Sequence, residues 1–303
     1  MSSRFQRGTA AALAALTAFA FAACGGSPSG PSPPPPPPPP PVTAVLVGAG
    51  DIAVCGSAAS QATATLLDGI DGTVFTAGDN AYFQGSADDF QRCYEPTWGR
   101  HKDRTLPAPG NHDYESAGAA PYFAYFGGRA GPGGRGYYSA TVGAWHIVSL
   151  NSNVPAGDGS AQLQWLRDDL AQHSSSRCVG AIWHHPMMTS GPNGPGHGSV
   201  MRDVWRTLQQ ARAEFVVNGH EHFYERFTTL DVDGRPNPNG MRLFIAGTGG
   251  ASLYDFVRPA PGSESRGRAF GVLKLTLDPG SYSWEFIPIP GSSFRDSGRD
   301  ECR

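Results

Sequence analysis

Apolar positions along the chain fall in short, nearly unbroken runs separated by polar, glycine-rich turns. Val42 to Val47 is apolar but for Thr43. Thr73 to Ala77, Val179 to Trp183 and Phe215 to Val217 repeat the pattern, with Arg104 to Ala108 as a weaker version. Runs of this length without alternation predict strands covered on both faces. Helical spacing lies between them, over Ser57 to Leu67, Ser199 to Arg212 and, most clearly, Ser160 to His173. There Leu163, Leu166 and Leu170 recur at three and four behind an N-capping Ser160. Gly136 to Thr141 and Ala144 to Leu150 read as a hairpin. Beyond Tyr224 only strands follow: Met241 to Ala246, Gly271 to Leu277 and Tyr282 to Ile287. This order predicts an α/β fold of the α+β sandwich kind, two packed mixed sheets flanked by helices, with no internal repeat and no second domain. Loops around Gly127 and Gly191, rich in Gly and Pro, are expected at the rim of a binding site.

The first 41 residues follow neither pattern. Arg4 and Arg7 precede an apolar stretch from Ala10 to Ala23, too short for a stable span, so residues 1–24 read as a signal peptide. Phe21-Ala22-Ala23-Cys24-Gly25 resembles a bacterial lipoprotein box with lipidation at Cys24. Phe21 stands where leucine is usual, and plain cleavage nearby is the competing reading. Residues 25–41, mostly proline, predict an extended polyproline tether, leaving 42–303 as the folded region. The expected location is outside the cytoplasm, lipid-anchored at a bacterial cell envelope or secreted. Membrane contact is expected only through Cys24.

The formal charge of −3 becomes −5 once Arg4 and Arg7 leave with the leader. That balance argues against a general polyanion-binding protein, and no nucleic-acid partner is expected. With Cys24 assigned to lipid, Cys55, Cys93, Cys178 and Cys302 remain, an even number suited to an oxidising compartment. Three pairings are open. Cys55–Cys93 and Cys178–Cys302 are favoured: one would tie two site loops together, the other would pin the C-terminus to a central strand.

Potential metal ligands concentrate in five segments, most of them just after a strand-like run. These are Gly50-Asp51, Gly78-Asp79-Asn80-Ala81-Tyr82, Gly110-Asn111-His112-Asp113, His184-His185-Pro186 and Gly219-His220-Glu221-His222. A parallel sheet gathers such strand ends along one edge. Carboxylates, an amide oxygen, imidazoles and a phenol suit a pair of metals better than a single zinc. Paired metals are standard machinery for attack on phosphate esters.

All five segments in this order resemble the calcineurin-like metallophosphoesterases, and specifically the purple acid phosphatase branch, over roughly Val42 to Ile287. Gly136-Tyr137-Tyr138-Ser139, His146 to Ser152 and Gly247-Thr248-Gly249-Gly250 add to the likeness. The resemblance implies a four-layer αββα architecture. It implies that Asp51, Tyr82 and His222 bind a first metal, that Asn111, His184 and His220 bind a second, and that Asp79 bridges both. The wider superfamily usually has a metal-binding His two residues after the first Asp; here that position is Ala53. Losing that imidazole while gaining Tyr82 favours Fe(III) at the first site, with divalent Fe, Zn or Mn at the second. The implied activity is hydrolysis of small-molecule phosphate monoesters by in-line attack of a metal-bound hydroxide. His112 would contact phosphate or leaving group, and His197 would protonate the leaving alkoxide.

Blander readings apply elsewhere. His185 is expected beside the metals rather than on them, Glu221 and Glu225 near the site or on the surface, and His101, His146 and His173 as structural histidines. A phosphodiesterase or nucleotidase on the same metal core is the alternative function. A non-catalytic surface lipoprotein with a decayed site is disfavoured, because every expected ligand position is filled.

Overall fold

The computed structural model describes residues 42–194 and 197–303, with the His197 side chain excepted. The expected leader, lipidated Cys24 and tether lie outside the described residues. Among the described residues thirteen strands run β1 (Ala44–Ala49), β2 (Thr73–Ala77), β3 (Thr105–Ala108), β4 (Tyr138–Val142), β5 (Trp145–Ser149), β6 (Cys178–Ile182), β7 (Phe215–Asn218), β8 (Tyr224–Leu230), β9 (Met241–Ala246), β10 (Ser263–Gly267), β11 (Gly271–Asp278), β12 (Ser281–Pro288) and β13 (Asp296–Glu301). The α-helices are α1 (Ala58–Asp68), α2 (Ala87–Asp89), α3 (Asn111–Glu115), α4 (Ala120–Phe126), α5 (Ala161–Gln172) and α6 (Arg202–Gln210).

The strands form two mixed sheets, a six-stranded one ordered β13-β12-β11-β1-β2-β3 and a seven-stranded one ordered β10-β8-β9-β7-β6-β5-β4. In the first, β1, β2 and β3 are parallel; in the second, β5, β6, β7 and β9 are parallel. Side chains alternate across each strand, which explains the unbroken apolar runs. Leu46 joins Phe75, Ile182, Phe215, Phe244 and Leu275 in the core shared by the two sheets. Val47 and Ala49 face outward onto Leu67 of α1 and onto Tyr94, Tyr122 and Phe126. On the other sheet Val179, Val216 and Leu243 meet Leu163 and Leu166 of α5 and Trp205 of α6. The result is the expected αββα sandwich of four layers.

Ser160 caps α5 as the sequence predicts, and Ser57 caps α1 in the same way. Ser57 Oγ accepts from the Ser60 amide and Ser160 Oγ from the Leu163 amide, which starts α1 and α5 one residue later than expected. The helix expected from Ser199 begins only at Arg202, after a 3₁₀ turn over His197–Met201. Gly198 lies so close to Pro186 that a Cβ would stand 1.9 Å from its carbonyl oxygen, and the tighter turn accommodates this approach. The Gly127 loop winds into short 3₁₀ turns that bury Ala130 against the α1 side. Both favoured disulfides, Cys55–Cys93 and Cys178–Cys302, are present. The second staples the residue after β13 in one sheet to the first residue of β6 in the other, at the end away from the β6 carboxyl terminus.

Candidate metal centre

Each of the five segments follows a parallel strand: Asp51 after β1, Asp79 after β2, Asn111 after β3, His184 after β6, His220 and His222 after β7. The carboxyl ends of both sheets therefore meet at one edge. Backbone bonds lock the meeting, with the Gly50 amide donating to Ala246 O (2.8 Å) and the Gly249 amide to Gly50 O (2.9 Å). Crowding explains the glycines that precede the ligands. A Cβ on Gly78 would lie 2.4 Å from His184 Nδ1, and one on Gly110 would lie 2.1 Å from Asp79 Oδ1. Asp51, Asp79 and His220 hold left-handed backbones, with φ of 60°, 51° and 69°. Such conformations cost about 1–3 kcal/mol each in non-glycine residues and cluster at functional sites.

The side chains divide into outward-tied and inward-facing atoms. The His112 amide donates to Asp79 Oδ1 and the His220 amide to Asp51 Oδ2, each at 2.8 Å. The remaining oxygens, Asp51 Oδ1 and Asp79 Oδ2, both lie 3.0 Å from Tyr82 Oη. His184 donates from Nδ1 to Ala77 O, and His222 from Nδ1 to Ser252 O, each at 2.8 Å. This fixes both tautomers and turns Nε2 inward. His222 Nε2 stands 3.2 Å from Tyr82 Oη and from Asp51 Oδ1. His184 Nε2 stands 2.9 Å from Asn111 Oδ1 and 3.3 Å from Asp79 Oδ2, and His220 Nδ1 is 2.9 Å from Asn111 Oδ1. Two donor groups result, Asp51–Tyr82–His222 and Asn111–His184–His220, and Asp79 Oδ2 touches both.

The donor set fits cations. Asp51 and Asp79 are fully buried, and the described residues bring no Lys or Arg within ion-pair reach of either. Burial and these two carboxylates push the Tyr82 phenol well above its ordinary pKa, so a phenolate here requires a positive ion beside it. Burial alone would lower His184, but the Asp79 carboxylate outweighs it and raises the imidazole to about 9. Burial would raise Asp79, yet His184 and His112 hold it below the usual carboxylate range. His220 falls to about 4, through burial and the neighbouring His184.

His112 sits at the edge of this cluster, its ring 4.4 Å from that of Tyr82 and its side chain partly exposed. Phe83 O lies 2.6 Å from His112 Nδ1, which leaves Nε2 turned toward the site, 4.0 Å from Asp79 Oδ2. His185 is buried beside His220 with Nδ1 2.8 Å from Ser152 Oγ; it is His184 that reaches Asp79 and Asn111. His197 opens a 3₁₀ turn, and its side chain lies outside the described residues. Ala53 is fully buried, and its carbonyl accepts the Tyr82 amide at 2.9 Å, so the position without a donor holds the backbone of the residue that carries the phenol. Glu221 and Glu225 are interior. Glu221 accepts from the Asn193 amide and is raised to about 7 by burial, while Glu225 accepts from Ser190 and Ser263. Both therefore hold the Gly191 loop. The Gly127 loop, expected at the rim, contributes no described residue to the cavity beside the cluster.

Three supporting residues escape a reading of the sequence. Asp113 is buried and accepts from the amides of Gly110 (2.8 Å) and Asn80 (3.2 Å) and from Asn80 Nδ2 (2.9 Å), binding two ligand loops together. Burial, then the nearby Asp79, raises it to about 7. Ser252 supplies the carbonyl that orients His222, and Tyr254 stacks on the His222 ring at 3.9 Å. The adjacency of Asp113 to Asn111 was the only available signal; Ser252 and Tyr254 carried none.

The profile of the calcineurin-like phosphoesterase family matches residues 45–224, more than half the chain. Purple acid phosphatase 22 of Arabidopsis thaliana is 32% identical over 158 residues, 49% of this chain and 36% of that protein. Purple acid phosphatase 21 of the same plant is 30% identical over 148 residues, 46% of this chain and 34% of that protein. The matches thus span about a third of these relatives. A purple acid phosphatase from yellow lupin (Lupinus luteus) seeds shares the fold with a TM-score of 0.71 at 20% identity, over 85% of this chain and 53% of that one. The anchor in the inner membrane complex of Plasmodium shares it with a TM-score of 0.62 at 11% identity, over 86% and 89%. Family profile, relatives and fold agree: the chain belongs to the calcineurin-like phosphoesterase family and resembles its purple acid phosphatases.

Proposed function

We propose that the chain hydrolyses phosphate monoesters in the manner of an acid phosphatase. The observation that carries this reading is Asp79 Oδ2, placed between a donor group with a phenol and one without. Asp51, Tyr82, His222 and Asp79 would hold Fe(III); Asn111, His184, His220 and Asp79 would hold divalent Fe, Zn or Mn. Bound there, the two ions supply an activated water nucleophile and neutralise charge on the phosphate oxygens. His112, with Nδ1 on Phe83 O, would contact the phosphate or the leaving group from the edge through Nε2. His197 is the leaving-group acid on the strength of sequence resemblance. The fold does not carry the activity by itself, since an anchor protein shares it; the filled donor set favours catalysis.

The test is a visible spectrum with metal analysis, alongside assays of p-nitrophenyl phosphate and bis(p-nitrophenyl) phosphate. Expected are a phenolate-to-iron band, lost in Tyr82→Phe, and preference for the monoester. A colourless, active zinc or manganese protein would remove the iron assignment. Preference for the diester would establish the phosphodiesterase alternative.

Export completes the reading. Its support is two disulfides, which suit an oxidising compartment, and the leader and tether in the sequence. Lipidation at Cys24 should send the protein to the membrane fraction, and Cys24→Ala should release it in active form. A soluble wild type with an unmodified mature N-terminus would exclude the anchor.

A further inference from the structure

Beside the Asn111–His184–His220 group lies a cavity of about 630 Å³, into which Asn111 and His220 face directly. Its size suits a small molecule, and it opens directly beside the second donor group. Besides Asn111, three neutral polar side chains and the His185 imidazole line it, each held by a neighbour. Tyr114 Oη accepts from Asn151 Nδ2 at 2.8 Å and keeps its own proton to donate. Ser152 Oγ and His185 Nδ1 lie 2.8 Å apart. Asn153 Nδ2 donates to Pro109 O at 3.2 Å, which fixes its amide plane. Val154, Pro155 and Val200 add apolar edges.

Charge is the decisive feature. Among the described residues the cavity wall carries Glu115 and no Lys or Arg. A leaving group bearing a second phosphate would meet a carboxylate at the mouth and, among the described residues, no Lys or Arg to receive it. A sugar or polyol would find hydroxyl and amide partners for its hydroxyls and apolar edges for its C–H faces.

We infer that this cavity is a leaving-group pocket that selects monophosphates of neutral, hydroxyl-bearing alcohols and rejects substrates carrying a second phosphate, with Glu115 as the rejecting group. The inference rests on the phosphatase reading and adds a substrate class to it. Fructose 6-phosphate and fructose 1,6-bisphosphate differ by the one phosphate in question. For the metal-replete enzyme, kcat/KM on the bisphosphate should fall ~10-fold or more below that on the monophosphate, as unpaired charge in a pocket demands. Glu115→Lys should close most of that gap, and Glu115→Gln part of it. Glu285→Lys, the same charge change on an exposed position of β12, should leave the ratio where it was. Tyr114→Phe should raise KM for fructose 6-phosphate more than for p-nitrophenyl phosphate, whose leaving group has no alcohol hydroxyls.

Equal turnover of the two sugar phosphates would overturn the selection, and so would equal shifts from Glu115→Lys and Glu285→Lys. Failure to hydrolyse any phosphate ester would instead overturn the underlying phosphatase reading.

Discussion

Two clusters of histidine and carboxylate lie at opposite ends of the seven-stranded sheet, and they are built differently. At the carboxyl edge, Asp51, Asp79, His184 and His222 each tie one polar atom outward and turn the other toward a shared interior. At the start of β5, His146, Asp169 and His173 also come within metal-ligand distance of one another. There the donors are consumed in pairs. Asp169 Oδ2 takes His146 Nε2 and Oδ1 takes Ser139 Oγ, both at 2.6 Å, while His173 Nδ1 donates to the Asp169 main-chain oxygen at 2.8 Å. The two rings stack at 4.1 Å, so their nitrogens lie side by side and do not converge. None of these three residues has a left-handed backbone, whereas Asp51, Asp79 and His220 do. Residue type and proximity are common to both clusters. Atoms left facing one another, held there by strained backbone, distinguish the candidate metal centre from a clamp between a helix and a hairpin.

The largest effect should come from breaking the shared atom. Asp79→Ala is expected to lose both metals and nearly all activity, while Asp169→Ala keeps its metal content; metal analysis of the two proteins checks this. Metal loss of equal size in both would erase the distinction between the clusters. His112→Ala should come next, with metals retained and the rate on p-nitrophenyl phosphate reduced ~10²–10³-fold, the loss expected for one transition-state donor. If His112→Ala proves as metal-free as Asp79→Ala, its role at the edge is wrong. Asp113→Asn is smaller again. Its amide NH₂ would face the N–H donors of Asn80 and Gly110, loosen both ligand loops and weaken metal affinity ~10–100-fold. Titration with a competing chelator measures that shift.

The inner parts of the fold were legible because burial leaves a mark on sequence. β2 and β9 fall on the residues expected, and the expected cap Ser160 fixes α5. Two edge strands, β13 and β10, left no such mark. β13, Asp-Ser-Gly-Arg-Asp-Glu, is alternately exposed and gains its place from the backbone ladder to β12 and the disulfide at Cys302. β10 is held to β8 in the same way. In α4, aromatic side chains crowd a short helix that follows a left-handed Ala119, a conformation the sequence gives no reason to expect. The seven candidate ligands come from their motifs, and the structure brings their side chains together. Which nitrogen faces inward could not, because it depends on the carbonyls of Ala77 and Ser252, distant in sequence. Asp113 was equally hidden: an Asp in the first turn of a helix ordinarily serves only as a capping residue.

The smallest prediction concerns the clamp and shows in stability alone. Burial would raise Asp169, but the bonds from His146 and Ser139 outweigh it and hold the carboxyl below its ordinary value. A depressed carboxylate contributes stability that is fully present above the unfolded pKa of about 4 and is lost as pH falls through the folded value. Asp169→Asn removes that contribution and should cost about 1–2 kcal/mol at neutral pH, the scale of charge-assisted hydrogen bonds to a partly screened group. The cost should shrink below about pH 4, where the unfolded chain's carboxyl takes up a proton first, and the two denaturation curves should converge as pH falls through the lower folded value. Metal content and kcat at neutral pH should match the wild type throughout. A difference between the two proteins that persists undiminished at pH 3 would show that Asp169 acts through shape and not charge. Altered metal content in Asp169→Asn would make this cluster a second metal site after all.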